Sequence, residues 1–134
     1  MARRSAAIVY SALTCGIVGF QLAMAAGAPW GAFAMGGAYS GAFPPALRVA
    51  AAVQGALLAA FALIVLSRAG IALPSWARLS RIAVWVVVAF SAVSLMLNLA
   101  TPSQGERAIW APVAALMLAS SLVVAITSRS AQAA

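Results

Sequence analysis

The chain has 134 residues, 66% of them hydrophobic and only 7% charged. Soluble domains carry about 25% charged residues and about 45–50% apolar ones, so an ordinary water-soluble domain is excluded. The net charge of +7 comes from eight arginines set against one acid, Glu106. Those arginines sit at the ends of apolar runs and form no basic stripe interleaved with aromatics, so nucleic acid is not an expected partner.

Arg3 and Arg4 precede the first apolar run, about 6–26. Its basic start and the Ala23-Met24-Ala25 triplet resemble a secretory signal. A cleavable apolar region spans about 7–15 residues, whereas this one continues for about 20, which fits a membrane span better. Cys15, the one cysteine, excludes an intramolecular disulfide and any paired-cysteine motif, and its mid-span place reads as packing. Gly16 and Gly19 give the same span a close-approach patch.

A segment rich in Gly, Pro and aromatics follows, 27–45, in which a Gly-Ala unit recurs at Gly27, Gly31, Gly37 and Gly41. Regular helix is not expected at that Gly and Pro density. Two readings stand: an interfacial loop anchored by Trp30 and Tyr39, or a re-entrant cap over an outward-facing cavity. Pro44 and Pro45 then open a second span, about 46–66. A basic loop, 67–81, carries Arg68, Arg78, Arg81 and Trp76. The third span covers about 82–100 and the fourth about 108–127, and a tight turn at 101–107 joins them. Within that turn Ser103-x-x-Glu106 fits a capping box, or else Thr101 caps with Pro102 at the first helical position. Pro112 falls in the first turns of span four, where a tilt or kink is expected. Ala111, Ala115 and Ala119 form a small-residue ladder, and Arg129 stands in a short polar tail expected to fray.

Four runs of about 20 residues match the helical length that crosses a hydrocarbon core. The expected fold is an all-α membrane protein, an antiparallel four-transmembrane-helix bundle forming one integral membrane domain, 1–134. Arginines cluster before span one, between spans two and three and after span four, which places both termini in the cytoplasm.

Polar side chains within spans are the candidate binding residues, because burying them unpaired is expensive. Gln21, Gln54 and Asn98 all fall near the same end of their spans. Ser91, Ser94 and Asn98 share one face of span three, and Ser11, Thr14 and Gln21 a stripe on span one. They either pin helix to helix or line a polar pocket. Arg48 and Arg107 lie near helix N-termini, where a cation opposes the macrodipole and needs compensation. An ion pair between Glu106 and Arg48 is expected, with Arg107 reaching out to lipid phosphate. Arg48, Arg107 and Trp30 together are an alternative anion or headgroup site.

With no His, one acid and one Cys, neither a catalytic triad, a paired-carboxylate site nor a metal site is expected, and no cofactor fingerprint occurs. The chain is not expected to be an enzyme.

The segments Gly27-Ala-Pro-Trp-Gly31, Pro44-Pro45-x-x-Arg48, Asn98 and Glu106-Arg107-x-x-Trp110-x-Pro112 resemble a recurrent pattern in small four-helix bacterial inner-membrane proteins of unassigned activity. Alanine-rich, arginine-only usage fits such an origin. The resemblance implies the four-span fold and gives weight to the outer-loop residues. Small multidrug resistance transporters have similar size and span number but carry a membrane-embedded Glu in the first span, where this chain has Gln21 and Cys15. The expected function is an accessory or interaction protein whose outer loop surface meets lipid, a second copy or another membrane protein. The alternative is a subunit of a small oligomeric transporter or channel for a small solute or anion.

Overall fold

The computed structural model describes the backbone of residues 1–133 and the side chains of residues 1–127. Four helices follow one another: α1, Ala2–Ala26; α2, Pro45–Arg68; α3, Ala77–Ala100; and α4, Gln104–Ala133. No strand occurs among the described residues. All four helices are long and apolar enough to cross a membrane. At about 1.5 Å per residue even the shorter ones reach about 36 Å, against a hydrocarbon core of about 30 Å.

The helices stand in a ring in chain order, with α4 returning to pack on α1. Contact between α2 and α3 is thinner than between α1 and α2 or between α3 and α4. One end of the bundle carries the N-terminus and the α2–α3 connection and is called the basic end here. The other carries the 27–44 segment and the α3–α4 turn and is called the capped end. The main core holds Tyr10, Leu58, Phe61, Val65, Val87 and Val124 with their neighbours. A second cluster, Met24, Phe43 and Ala51, lies beneath the cap. Facing outwards are further apolar side chains, among them Ile8, Val53, Ile82, Val86 and Leu116. In water such a surface would drive association; against lipid tails it is neutral.

The helices extend past the apolar runs, mostly at the basic end. A single 3-10 turn, Pro74–Trp76, leads straight into α3, so Arg78 and Arg81 belong to that helix and Arg68 to α2. The expected loop 67–81 is thus mostly helix. Arginine stems let a helix run beyond the hydrocarbon while their heads stay in the interface. α4 runs through Pro112 and on to Ala133, so the tail is helical; the side chain of Arg129 lies outside the described residues.

Several small residues face the other way from expectation. Cys15 is exposed on α1 and is not part of the bundle's core. A Cβ added at Gly16 or Gly19 would meet no atom within 4 Å. In the α4 ladder Ala111 is buried, but Ala115 and Ala119 are exposed. The glycine that lets two helices approach is Gly55 on α2, where an added Cβ would sit 3.4 Å from Cβ of Gln21 on α1.

Candidate functional site

The capped end is built on two proline and serine caps. Pro44 precedes α2 in an extended conformation, with Pro45 as its first helical residue, and its carbonyl accepts from the N–H groups of Leu47 (3.0 Å) and Arg48 (3.1 Å). Ser103 caps α4: its Oγ accepts from the Glu106 N–H at 3.2 Å. That is half of the expected capping box. The other half is diverted, because the Glu106 carboxylate turns away from the Ser103 N–H, which donates to Thr101 Oγ1 at 3.4 Å.

Glu106 instead fastens the 27–44 segment. Its Oε2 accepts from the Gly36 N–H at 2.8 Å and from the Thr101 hydroxyl at 2.8 Å. Ser103 Oγ donates to the Ala32 carbonyl at 3.0 Å, and Trp110 Nε1 donates to the Phe33 carbonyl at 2.8 Å. Three long-range hydrogen bonds therefore tie the segment to the start of α4. Within the segment, two 3-10 turns, Gly31–Phe33 and Met35–Gly37, are closed by the Gly31 N–H donating to the Gly41 carbonyl at 3.1 Å. Met35, Gly36 and Gly37 all adopt positive φ, which aims the Gly36 N–H at the carboxylate. Phe20 of α1 stacks on Trp30 at 5.9 Å and meets Trp110 edge-on at 4.8 Å, adding an aromatic seam. Such pairs contribute about 0.5–1.5 kcal/mol each beyond area burial.

Beneath this cap lies a cavity of about 360 Å³. Its roof is Phe33, Ala34, Met35 and Phe43, so the segment covers a cavity. Its polar lining is Gln21, Gln54, Ser91, Ser94, Asn98 and Glu106; aromatic walls come from Phe20, Phe90 and Trp110. The floor is Leu58 and Met117, which belong to the main core. On the α2–α3 side the lining residues Ala50, Gln54, Val93 and Leu97 are themselves exposed. The thin contact between those helices therefore opens the cavity sideways, toward the surface that faces lipid.

Three of the sequence-derived candidates, Gln21, Gln54 and Asn98, meet in this cavity with Glu106. They do not pin helix to helix. Asn98 Nδ2 donates to the Ser94 carbonyl at 2.8 Å, Ser91 Oγ to the Val87 carbonyl at 2.8 Å and Thr14 Oγ1 to the Tyr10 carbonyl at 2.8 Å, each bonding one turn back on its own helix. A hydroxyl or amide satisfied this way needs no partner helix. Tyr10 is fully buried beside Ser91, yet its hydroxyl makes no hydrogen bond of good geometry.

The expected Glu106–Arg48 ion pair does not form, and Arg48, Arg107 and Trp30 do not assemble a site. Arg48 Nε donates to the Phe43 carbonyl at 2.9 Å, and its guanidinium packs on Gly27, the αL residue that ends α1. Arg107 folds back so that its guanidinium donates to the carbonyl of Thr101, the residue that ends α3. Each arginine opens one helix while lying on the carbonyl end of the antiparallel helix before it. At the basic end Arg4, in the first turn of α1, donates to the Gly70 carbonyl just beyond α2, the helix that follows its own, at 3.5 Å. The compensation that a cation needs at an N-terminus is thus a neighbouring C-terminus, where the macrodipole favours it. Neither Arg48 nor Arg107 lines the cavity; among the described residues Glu106 is its sole ionisable lining residue.

Sequence reasoning missed Phe20, Phe33 and Gly36, and it weighed Trp110 only as part of a recurrent pattern. Phe33 and Gly36 act through contacts with residues about 70 positions away, for which no local spacing is a signal.

Among the described residues no group of three or more His, Cys, Asp or Glu stands together to hold a metal. No family model, curated protein or solved structure matches this chain.

Proposed function

We propose that the chain is an accessory membrane protein that holds an amphiphile in the capped cavity, with its apolar part toward the lipid and its polar part under the cap. The observation that carries this reading is the joining, in one cavity that opens sideways between α2 and α3, of a few polar groups (Gln21, Gln54, Asn98 and Glu106) with mostly apolar and aromatic walls. Ligand pockets have this make-up, mostly apolar with a few convergent polar groups. The volume admits a headgroup-sized moiety and the first part of a chain. We place both termini in the cytoplasm on the arginine distribution, which puts the cap on the outer face of a bacterial inner membrane. The resemblance to small four-helix inner-membrane proteins belongs to the same proposal. Another membrane protein or a second copy is the natural recipient of a ligand held so near the bilayer surface.

A transport route is the less supported reading. The cavity has a floor, and the half of the bundle below it is filled by Tyr10, Phe61, Val65, Val84, Val87 and Val124. A water path through one copy would have to displace that core.

The test is photolabelling. A tetradecyl amphiphile carrying a mid-chain diazirine, in nanodiscs of the whole protein, is expected to label the peptides containing Phe90 and Trp110 above lipid-facing Ile82. Leu97→Trp, which fills the lateral opening, is expected to lower labelling at Phe90 and Trp110 and leave Ile82 unchanged. Labelling that follows surface exposure alone, and ignores Leu97→Trp, would refute the reading.

A further inference from the structure

We infer that the capped cavity selects an organic ammonium carried on an apolar body; this rests on the amphiphile reading above and names the chemistry of the ligand. The sign of the site follows from what the cap does with its charges. Arg48 and Arg107, the two cations of this end, are spent on the carbonyls of Phe43 and Thr101 and do not line the cavity. Glu106 stays in the lining. Its Oε2 holds the cap through Gly36 and Thr101, and among the described residues Oε1 makes no hydrogen bond, which leaves it available to a ligand. One carboxylate thus does two jobs, one oxygen for the fold and one for the cavity.

The walls suit the same cation. Phe20, Phe33, Phe90 and Trp110 all line the cavity that Glu106 enters. A cation within about 6 Å of an aromatic face is attracted by the ring quadrupole, most strongly by Trp. A carboxylate and aromatic rings that line one cavity suit an ammonium, including a fully methylated one that donates no hydrogen bond. Gln21 and Gln54 supply amide oxygens for an ammonium that does donate. An anionic head would meet the Glu106 carboxylate with no lining cation to offset it.

Two sources share this chemistry, a phospholipid amine headgroup and a free amphiphilic amine. The experiment uses the whole protein in nanodiscs of phosphatidylglycerol, a lipid without an amine. Binding of tetradecyltrimethylammonium, tetradecyl maltoside and tetradecyl sulfate is read by thermal shift in wild type, Glu106→Gln and Leu97→Trp. Each wild-type affinity is corrected by its Leu97→Trp value, which carries the bulk partitioning. The expected result is a preference of about tenfold for the ammonium over the maltoside in wild type, falling below about twofold in Glu106→Gln. The Gln variant keeps an acceptor for Gly36 and Thr101, and its maltoside binding reports an intact cavity. Should it fail to fold, the corrected wild-type order of ammonium, maltoside and sulfate decides the same question.

Equal corrected affinities of all three heads, or a preference unchanged in Glu106→Gln, would overturn the ammonium inference and leave the cavity reading standing. Binding that Leu97→Trp does not alter for any head would overturn both. Adding phosphatidylethanolamine to the discs separates the sources. Weaker probe binding then assigns the site to the lipid headgroup, and unchanged binding assigns it to a free amine.

Discussion

The Gly-Ala unit that recurs through the cap places one residue type at four positions that need it unequally. Gly27 has φ 102° and lies under the Arg48 guanidinium. Gly37 has φ 74°. At Gly31 an added Cβ would come within 2.3 Å of the Tyr39 carbonyl oxygen and 2.6 Å of that of Gly41, both backbone atoms, so the main chain itself would have to shift. At Gly41 it would meet nothing within 4 Å. Gly31→Ala is therefore expected to cost about 2–4 kcal/mol and to loosen the cap, and Gly41→Ala to stay within about 1 kcal/mol. Thermal unfolding of the two variants in identical nanodiscs checks the contrast. The repeat itself was plain in the sequence. Which copy is indispensable was not, because the answer depends on chain segments that meet only in the fold.

The same limit explains Glu106. Counting side-chain charges leaves Arg48 as its natural partner, but backbone groups also carry charge, and a sequence shows none of them. The carboxylate met an amide N–H and a hydroxyl; the arginines met carbonyls. By contrast, the polar face of Ser91, Ser94 and Asn98 follows from helical spacing alone, and the structure keeps it together in the cavity lining.

Among the elements, two arginine contacts link a helix start to the end of the helix before it. Arg48 belongs to α2 but acts on the end of α1, and Arg107 belongs to α4 but acts on the end of α3. Arg48→Ala is expected to lower stability by about 1 kcal/mol, and Arg107→Ala by a similar amount. Hydrogen exchange locates the effect: faster exchange around Gly27 for the first variant and around Ala100 for the second. Faster exchange confined to the variant's own helix would contradict the arrangement. The four helices were legible from apolar run length, since about 20 apolar residues have few other stable uses. Their ends at the basic side were not, because arginine-bearing turns read as loop by polarity although their backbone stays helical.

At the scale of the molecule, the bundle divides into two halves of different character. Below the cavity the interior is closed by aliphatic side chains and Tyr10. Above it, the cap, the α4 start and the parted α2 and α3 enclose polar groups that open toward lipid. The apolar faces and four-helix order of this plan could be read from the sequence. The cavity could not, because it depends on how far two helices part, which small changes of side-chain packing decide. The split accounts for both the polar residues gathered at one end and the lack of a polar path through the other.

The most direct measurement of the central claim is native mass spectrometry of the whole protein released from membranes in lipid nanodiscs. Wild type is expected to retain a tightly held amphiphile after bulk lipid is stripped, and Leu97→Trp to lose it. Wild type and Leu97→Trp that shed all lipid alike would contradict the account.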